Sequence, residues 1–332
     1  MKRILSLFIV LILVAGIFTA CGSNSAGSSE QQSKKSAKTT DMTASGDFPM
    51  TVTDDAGSKI TLQSKPQNII SLTLGTDEML LKLVDKSRIK AVTYLADDKG
   101  ISNISEEVKS ISNKLDSDNA EKVIALQPDL VIVADYTKKE FVQQLLDAKL
   151  TVFKVRTPNS IDEVKRVITN LAQLTGEKAK GTELNSWIDD KLKAVSDKLS
   201  ALKPEQKLSI MDYTEMGSTS GKGTNFDDIV TRAGLINVAS KAGLEGWPQL
   251  SKEKIVTFDP DIIVVPSWTY DKNNSTEKII EKIKGDKSLA SLKAIKNNRI
   301  ITSNYLHMSS VSQNMALAVE DMAKAAYPDL FK

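Results

Sequence analysis

Apolar residues fall along this chain in short unbroken runs, separated by longer stretches in which they recur every three or four positions. The runs at 69–72, 89–93, 130–133 and 152–155, and again at 208–212, 262–265 and 299–302, read as strands buried on both faces. Such strands belong in parallel sheets covered by helices, and the stretches between them carry the helical period. Residues 51–62 instead read as a hairpin turning at Asp55-Ala56-Gly57. The pattern predicts an α/β protein of two lobes, 49–176 and 204–332, each a mostly parallel sheet flanked by helices.

The stretch between the lobes is different. From 177 to 203 there is no proline, and Leu184, Trp187, Ile188, Leu192, Val195, Leu199 and Leu202 recur at helical spacing before Pro204 closes the run. One rigid helix of about 25 residues would span nearly 40 Å. A coiled-coil arm is the alternative, but three heptads are few for one.

The chain also repeats itself. Residues 121–133 (EKVIALQPDLVIV) align without gaps on 253–265 (EKIVTFDPDIIVV), an offset of 132. Each copy predicts a short helix, a Pro-Asp turn and a strand, followed by an aromatic residue: Tyr136 in the first, Trp268 and Tyr270 in the second.

Composition changes the picture at the N-terminus. Lys2 and Arg3 precede an apolar run of 15 residues, Ile4 to Phe18, which is the order of a secretory signal covering 1–20. The run is shorter than the roughly 20 residues a spanning helix needs. Thr19, Ala20 and Gly22 then flank the only cysteine, Cys21, as in a bacterial lipoprotein cleavage box with Phe18 in place of the usual leucine. A lone cysteine has no intramolecular disulfide partner, whereas acylation would anchor the chain to the membrane. Residues 21–48 follow as a polar tether too poor in apolar groups to fold. Losing Lys2 and Arg3 with the leader leaves 42 basic against 42 acidic side chains. That neutral balance gives no footprint for nucleic acid.

At this point the chain resembles the helical-backbone class of substrate-binding lipoproteins, which serve ABC importers of ferric siderophores, haem and corrinoids. The likeness runs from about Met50 to Tyr327 and rests on 69–78 (IISLTLGTDE), 120–132, 226–237 (FDDIVTRAGLIN) and 247–253 (WPQLSKE). It implies an extracytoplasmic monomer that takes a small metal chelate between its lobes and hands it to a permease dimer. No resident cofactor or bare metal is expected. Ferric siderophore ranks first as ligand, corrinoid close behind and haem third. A chelate-processing enzyme or a ligand sensor are the readings from other classes.

The candidate site residues follow strand ends. Tyr94, Tyr136, Tyr213, Trp268, Tyr270 and Tyr305 each lie a few residues past a predicted strand, Thr73 follows the first one, and Trp247 sits in a loop before a helix. Ligands of open α/β sheets bind beyond the carboxyl ends of strands, so these residues should line one cleft suited to a flat or greasy chelate. Lys114 and Arg156 are candidate cations for an anionic ligand. His307, the sole histidine, stands beside Met308 and is a candidate axial ligand to haem. Glu121 and Glu253 occupy equivalent positions in the repeat. Helix-dipole stabilisation would account for both, while the resemblance implies salt bridges to permease arginines. The segment Gly217–Thr224 imitates a phosphate loop, but it is one residue short and carries glycine where Ser or Thr should follow the lysine. One histidine without a nucleophile motif offers little for catalysis, and an enzyme is not expected.

Overall fold

The computed structural model describes residues 48–332 apart from 214–216 and 270–273. The leader, Cys21, the tether and Tyr270 lie outside the described residues. Among those described, no helix is long and apolar enough to cross a membrane.

Strands β1 (Met50–Thr53) and β2 (Lys59–Leu62) pair antiparallel. The turn between them is held by the Asp54 carboxylate, which accepts the N–H groups of Ala56 at 2.9 Å and Ser58 at 2.7 Å. The first lobe is built on β3 (Ile69–Ser71), β4 (Ile89–Thr93), β5 (Asn113–Leu115), β6 (Leu130–Ala134) and β7 (Val152–Val155). They form an all-parallel sheet in the order β5-β4-β3-β6-β7. The second lobe holds β8 (Ser209–Asp212), β9 (Ile236–Asn237), β10 (Ile262–Pro266) and β11 (Ile300–Ser303), parallel in the order β11-β10-β8-β9. The sequence pattern did not predict β5 and β9. Both are short edge strands with polar residues, so they lack the two-sided apolar run that marks a central strand.

Alternate residues of the central strands enter different cores. Leu130 and Ile132 of β6 pack on one face and Val131 and Val133 on the other; Ile262 and Val264 of β10 part from Ile263 and Val265 in the same way. The inner faces of both sheets share one core with the linking helix, Lys178–Leu199. Its Ile188 and Val195 are fully buried there, with Leu184, Trp187, Leu192 and Leu199 partly buried alongside. At 22 residues the helix spans about 33 Å, shorter than the sequence suggested because Ser200 caps it before Pro204. The lobes are thus welded along a common core instead of strung on a bare rod.

The repeat at offset 132 is carried into detail. Asn119 and Ser251 cap helices Ala120–Ala125 and Lys252–Phe258, each accepting the backbone N–H three residues on. Gln127 and Asp259 then take left-handed conformations, with φ of 47° and 41°. The aspartates of the two Pro-Asp turns tie down a neighbouring strand. Asp129 accepts the N–H groups of Gln67 and Asn68 ahead of β3, and Asp261 accepts that of Ser209 in β8. The Pro-Asp pair therefore fixes strand adjacency in both lobes.

Candidate functional site

The carboxyl ends of the two sheets face each other. Gly100, in the loops after β4, comes so close to Trp268 that a Cβ there would lie 2.0 Å from the indole Nε1. Asn103 of the first lobe donates to the Leu306 carbonyl of the second at 2.9 Å. The loops beyond the strand ends of the two sheets therefore meet, and each lobe holds a cavity of its own.

The cavity of the second lobe has a volume of about 680 Å³. Tyr213 after β8, Trp268 after β10 and Tyr305 after β11 form its aromatic walls together with Trp247 and Phe226. Trp268 and Tyr305 stack with ring centroids 5.4 Å apart and planes 27° from parallel. The floor is polar: Asp212 accepts the Thr219 hydroxyl at 2.8 Å, the Ser220 N–H at 2.7 Å and the Ser220 hydroxyl at 2.6 Å. Asn225, Ser303 and Ser309 add neutral groups, and Asp212 carries the one formal charge among the described lining residues.

Trp247 is presented by a device the sequence did not reveal. The segment that imitates a phosphate loop pairs with the tryptophan's own loop, with Gly221 N–H donating to Gly246 O at 2.7 Å and Lys222 N–H to Leu244 O at 2.8 Å. Its glycines serve a backbone ribbon, and the ribbon holds Trp247 with 63% of its surface exposed.

The first lobe contributes a smaller cavity of about 100 Å³ lined by Thr73, Thr76 and Tyr136. Thr73 caps helix Leu74–Leu83, its hydroxyl accepting the Thr76 N–H at 3.3 Å. Tyr136 and Tyr94 are 72% and 57% exposed. With Trp247 they are three candidate site residues that hold more than half of their surface in water.

Asp77, on that helix, is wholly buried and accepts the Thr93 N–H at 2.9 Å. Burial pushes its carboxyl well above the usual range.

Tyr94 lines neither cavity, and three polar candidates are also placed elsewhere. Lys114 turns its ammonium into its own lobe, donating to the carbonyls of Val108 at 3.0 Å and Ile111 at 2.7 Å and pairing with Asp97 at 3.1 Å. Arg156 reaches Glu163 at 3.4 Å, and its N–H donates to the Asp55 carboxylate at 2.8 Å. His307 sets Nδ1 2.6 Å from the Asp321 carboxylate of helix Met315–Ala326 and is absent from the cavity lining. In each case a nearby carboxylate or carbonyl within the same lobe captures the polar head. Among the described residues, no lysine or arginine lines either cavity of the cleft.

Glu121 and Glu253 both stand exposed in the first turn of their capped helices. Glu253's own N–H and the Ser251 hydroxyl hold its carboxyl below the usual range. Its lysine neighbours are drawn away, Lys252 to Asp286 at 2.6 Å and Lys254 over the Phe258 ring at 5.5 Å.

The sequence profile of the periplasmic binding protein family matches residues 69–304. An uncharacterized ABC transporter substrate-binding lipoprotein of Bacillus subtilis, YvrC, is 26% identical over the full length of both chains. A cobalamin-binding protein of Halobacterium salinarum is 28% identical over 65% of this chain and 58% of its own. Among solved structures, a possible iron-binding periplasmic protein of Staphylococcus epidermidis superposes with a TM-score of 0.69 at 24% identity, covering 80% of this chain and all of that one. At that identity the structural likeness speaks to the fold alone.

Proposed function

Because the chain belongs to the periplasmic binding protein family, we propose that it is an extracytoplasmic receptor, lipid-anchored through Cys21, that binds a weakly charged metal chelate between its lobes and delivers it to an ABC importer. What supports this reading is the set of aromatic rings past strand ends in both lobes, beside a polar lining whose one charged residue, Asp212, is an anion. A flat macrocycle can stack on such rings, and its peripheral amides can exchange hydrogen bonds with Ser220, Asn225 and Ser303.

Ligand charge is the discriminating property. An anionic catecholate complex would lose its water beside Asp212 without gaining a cation, and an unpaired charge pays heavily for desolvation. This moves corrinoids ahead of ferric siderophores, and the relative named as cobalamin-binding supports the same order. A neutral ferric hydroxamate is the second reading, since it too would enter the cavity without needing a cation. Equilibrium dialysis of the full chain separates them. Retention of cobinamide with no retention of ferric chelates or haemin is expected; retention of a ferric catecholate alone would overturn the reading.

Delivery rests on Glu121 and Glu253. One exposed carboxylate per lobe, on matching capped helices, suits the two-fold surface of a permease dimer.

A further inference from the structure

Helix Leu74–Leu83 starts at the cleft with Thr73 as its cap, and one turn further on it carries Glu78, which is 0% exposed. The hydrogen-bond donors to its carboxylate are neutral. Oε1 accepts the Asn103 N–H at 3.0 Å and the Asn103 side-chain amide at 2.9 Å. Oε2 accepts the Ser310 hydroxyl at 2.7 Å, the Ser312 hydroxyl and the Asn314 side-chain amide at 2.9 Å. The Gln313 amide donates to the Glu78 carbonyl at 3.3 Å.

Three of these five donors belong to the second lobe. Residues 310–314 directly continue the segment that supplies Tyr305, Met308 and Ser309 to the cavity wall. Asn103 carries the bridge further, because the amide that bonds Glu78 also bonds the Leu306 carbonyl at 2.9 Å. The approach is tight: a Cβ on Gly75 would lie 2.8 Å from both Cγ2 and the carbonyl oxygen of Val311. A buried carboxylate without a cation is tolerated only while its lone pairs are filled, and separating the lobes would empty most of them.

We propose that Glu78 is a positioning residue, a clasp that holds the wall bearing Tyr305 at a set distance from the first lobe and so preorganises the cleft for its ligand. The clasp deepens the binding-protein reading and rests on it for the ligand alone. A preorganised cleft binds more tightly because less ordering remains to be done on binding. Nothing catalytic is asked of the carboxylate.

The test measures the distance between lobes before any ligand is added. Spin labels go on the exposed positions Glu140→Cys and Glu281→Cys of the full chain carrying Cys21→Ser, so that only the introduced thiols react. The parent should give one narrow distance distribution. Glu78→Gln, which removes acceptor capacity, should broaden or shift it and weaken cobinamide binding about tenfold. Gly75→Ala, which leaves the carboxylate in place, should shift the distance in the same way. Unchanged distributions in both variants would overturn the clasp, whatever happens to thermal stability. Should Glu78→Gln fail to fold, the Ser310→Ala/Ser312→Ala double variant takes its place under the same criterion. The distance reading also separates the two proposals: a shift without cobinamide binding in any variant sinks the corrinoid reading and upholds the clasp.

Discussion

Tyr136 and Trp247 hold more than half of their surface in water, so truncating either should cost the fold little. We expect Tyr136→Ala and Trp247→Ala each to lower chelate affinity about tenfold, the order expected of an aromatic anchor, with the thermal midpoint almost unmoved. A midpoint that falls together with the affinity would mark them as packing residues. Asp77 behaves in the opposite way. Its folded pKa stands above the ordinary 3.8, so its contribution is most favourable below that value and is lost as pH rises through the raised one. Asp77→Asn, still able to accept the Thr93 N–H, should therefore melt higher than the parent at pH 8, with the gap closing toward pH 4. At this scale Tyr136, Tyr213, Trp247, Trp268 and Tyr305 fall on cavity linings and Tyr94 does not, while Lys114 and Arg156 turn away from both cavities. A ring after a strand has few places to go, whereas Lys114 and Arg156 carry long flexible stems whose direction depends on Asp97 and Glu163. Glu78 was missed because a single buried carboxylate leaves no periodic trace.

Among elements, the two copies of the repeat share their caps, their left-handed turn residue and their strand-tethering aspartate. All of these features lie at the 132-residue offset, so the duplication was legible without any structure. Glu121 and Glu253 inherit that equivalence. Reversing both to lysine should abolish chelate uptake by cells while leaving the affinity of the purified protein within about twofold, since neither reaches the cleft lining. Loss of binding in the double variant would remove the docking role. The phosphate-loop imitation shows the opposite limit. Its glycines are as visible in the sequence as the repeat, yet their purpose is the ribbon that carries Trp247, a pairing across more than 20 residues that no local pattern encodes.

For the whole molecule, the inner faces of both sheets and the linking helix share one core. Two lobes with separate cores would melt separately, whereas these should unfold in a single calorimetric transition. Ile188→Ala in the linking helix should lower that transition as a unit, at a cost of roughly 2–5 kcal/mol. Two resolved transitions would contradict the shared core. The same weld limits motion, so closure over a ligand is expected to be small; a reorientation of several tens of degrees between free and bound forms would contradict it. The two lobes were readable from strand spacing, but the shared core was not, because it depends on which face of each sheet turns toward the helix.

The central claim, a chelate held between aromatic walls, meets its most direct test in the tryptophans themselves. Of the chain's three, Trp187 belongs to the linking helix and packs against the shared core, while Trp247 and Trp268 line the cavity. In a Trp187→Phe background all indole fluorescence comes from the cleft. Titration with cobinamide should quench it saturably at one equivalent, and anionic ferric catecholates should leave it unchanged. A response to cobinamide that never saturates, or saturation by the catecholate instead, would contradict the account.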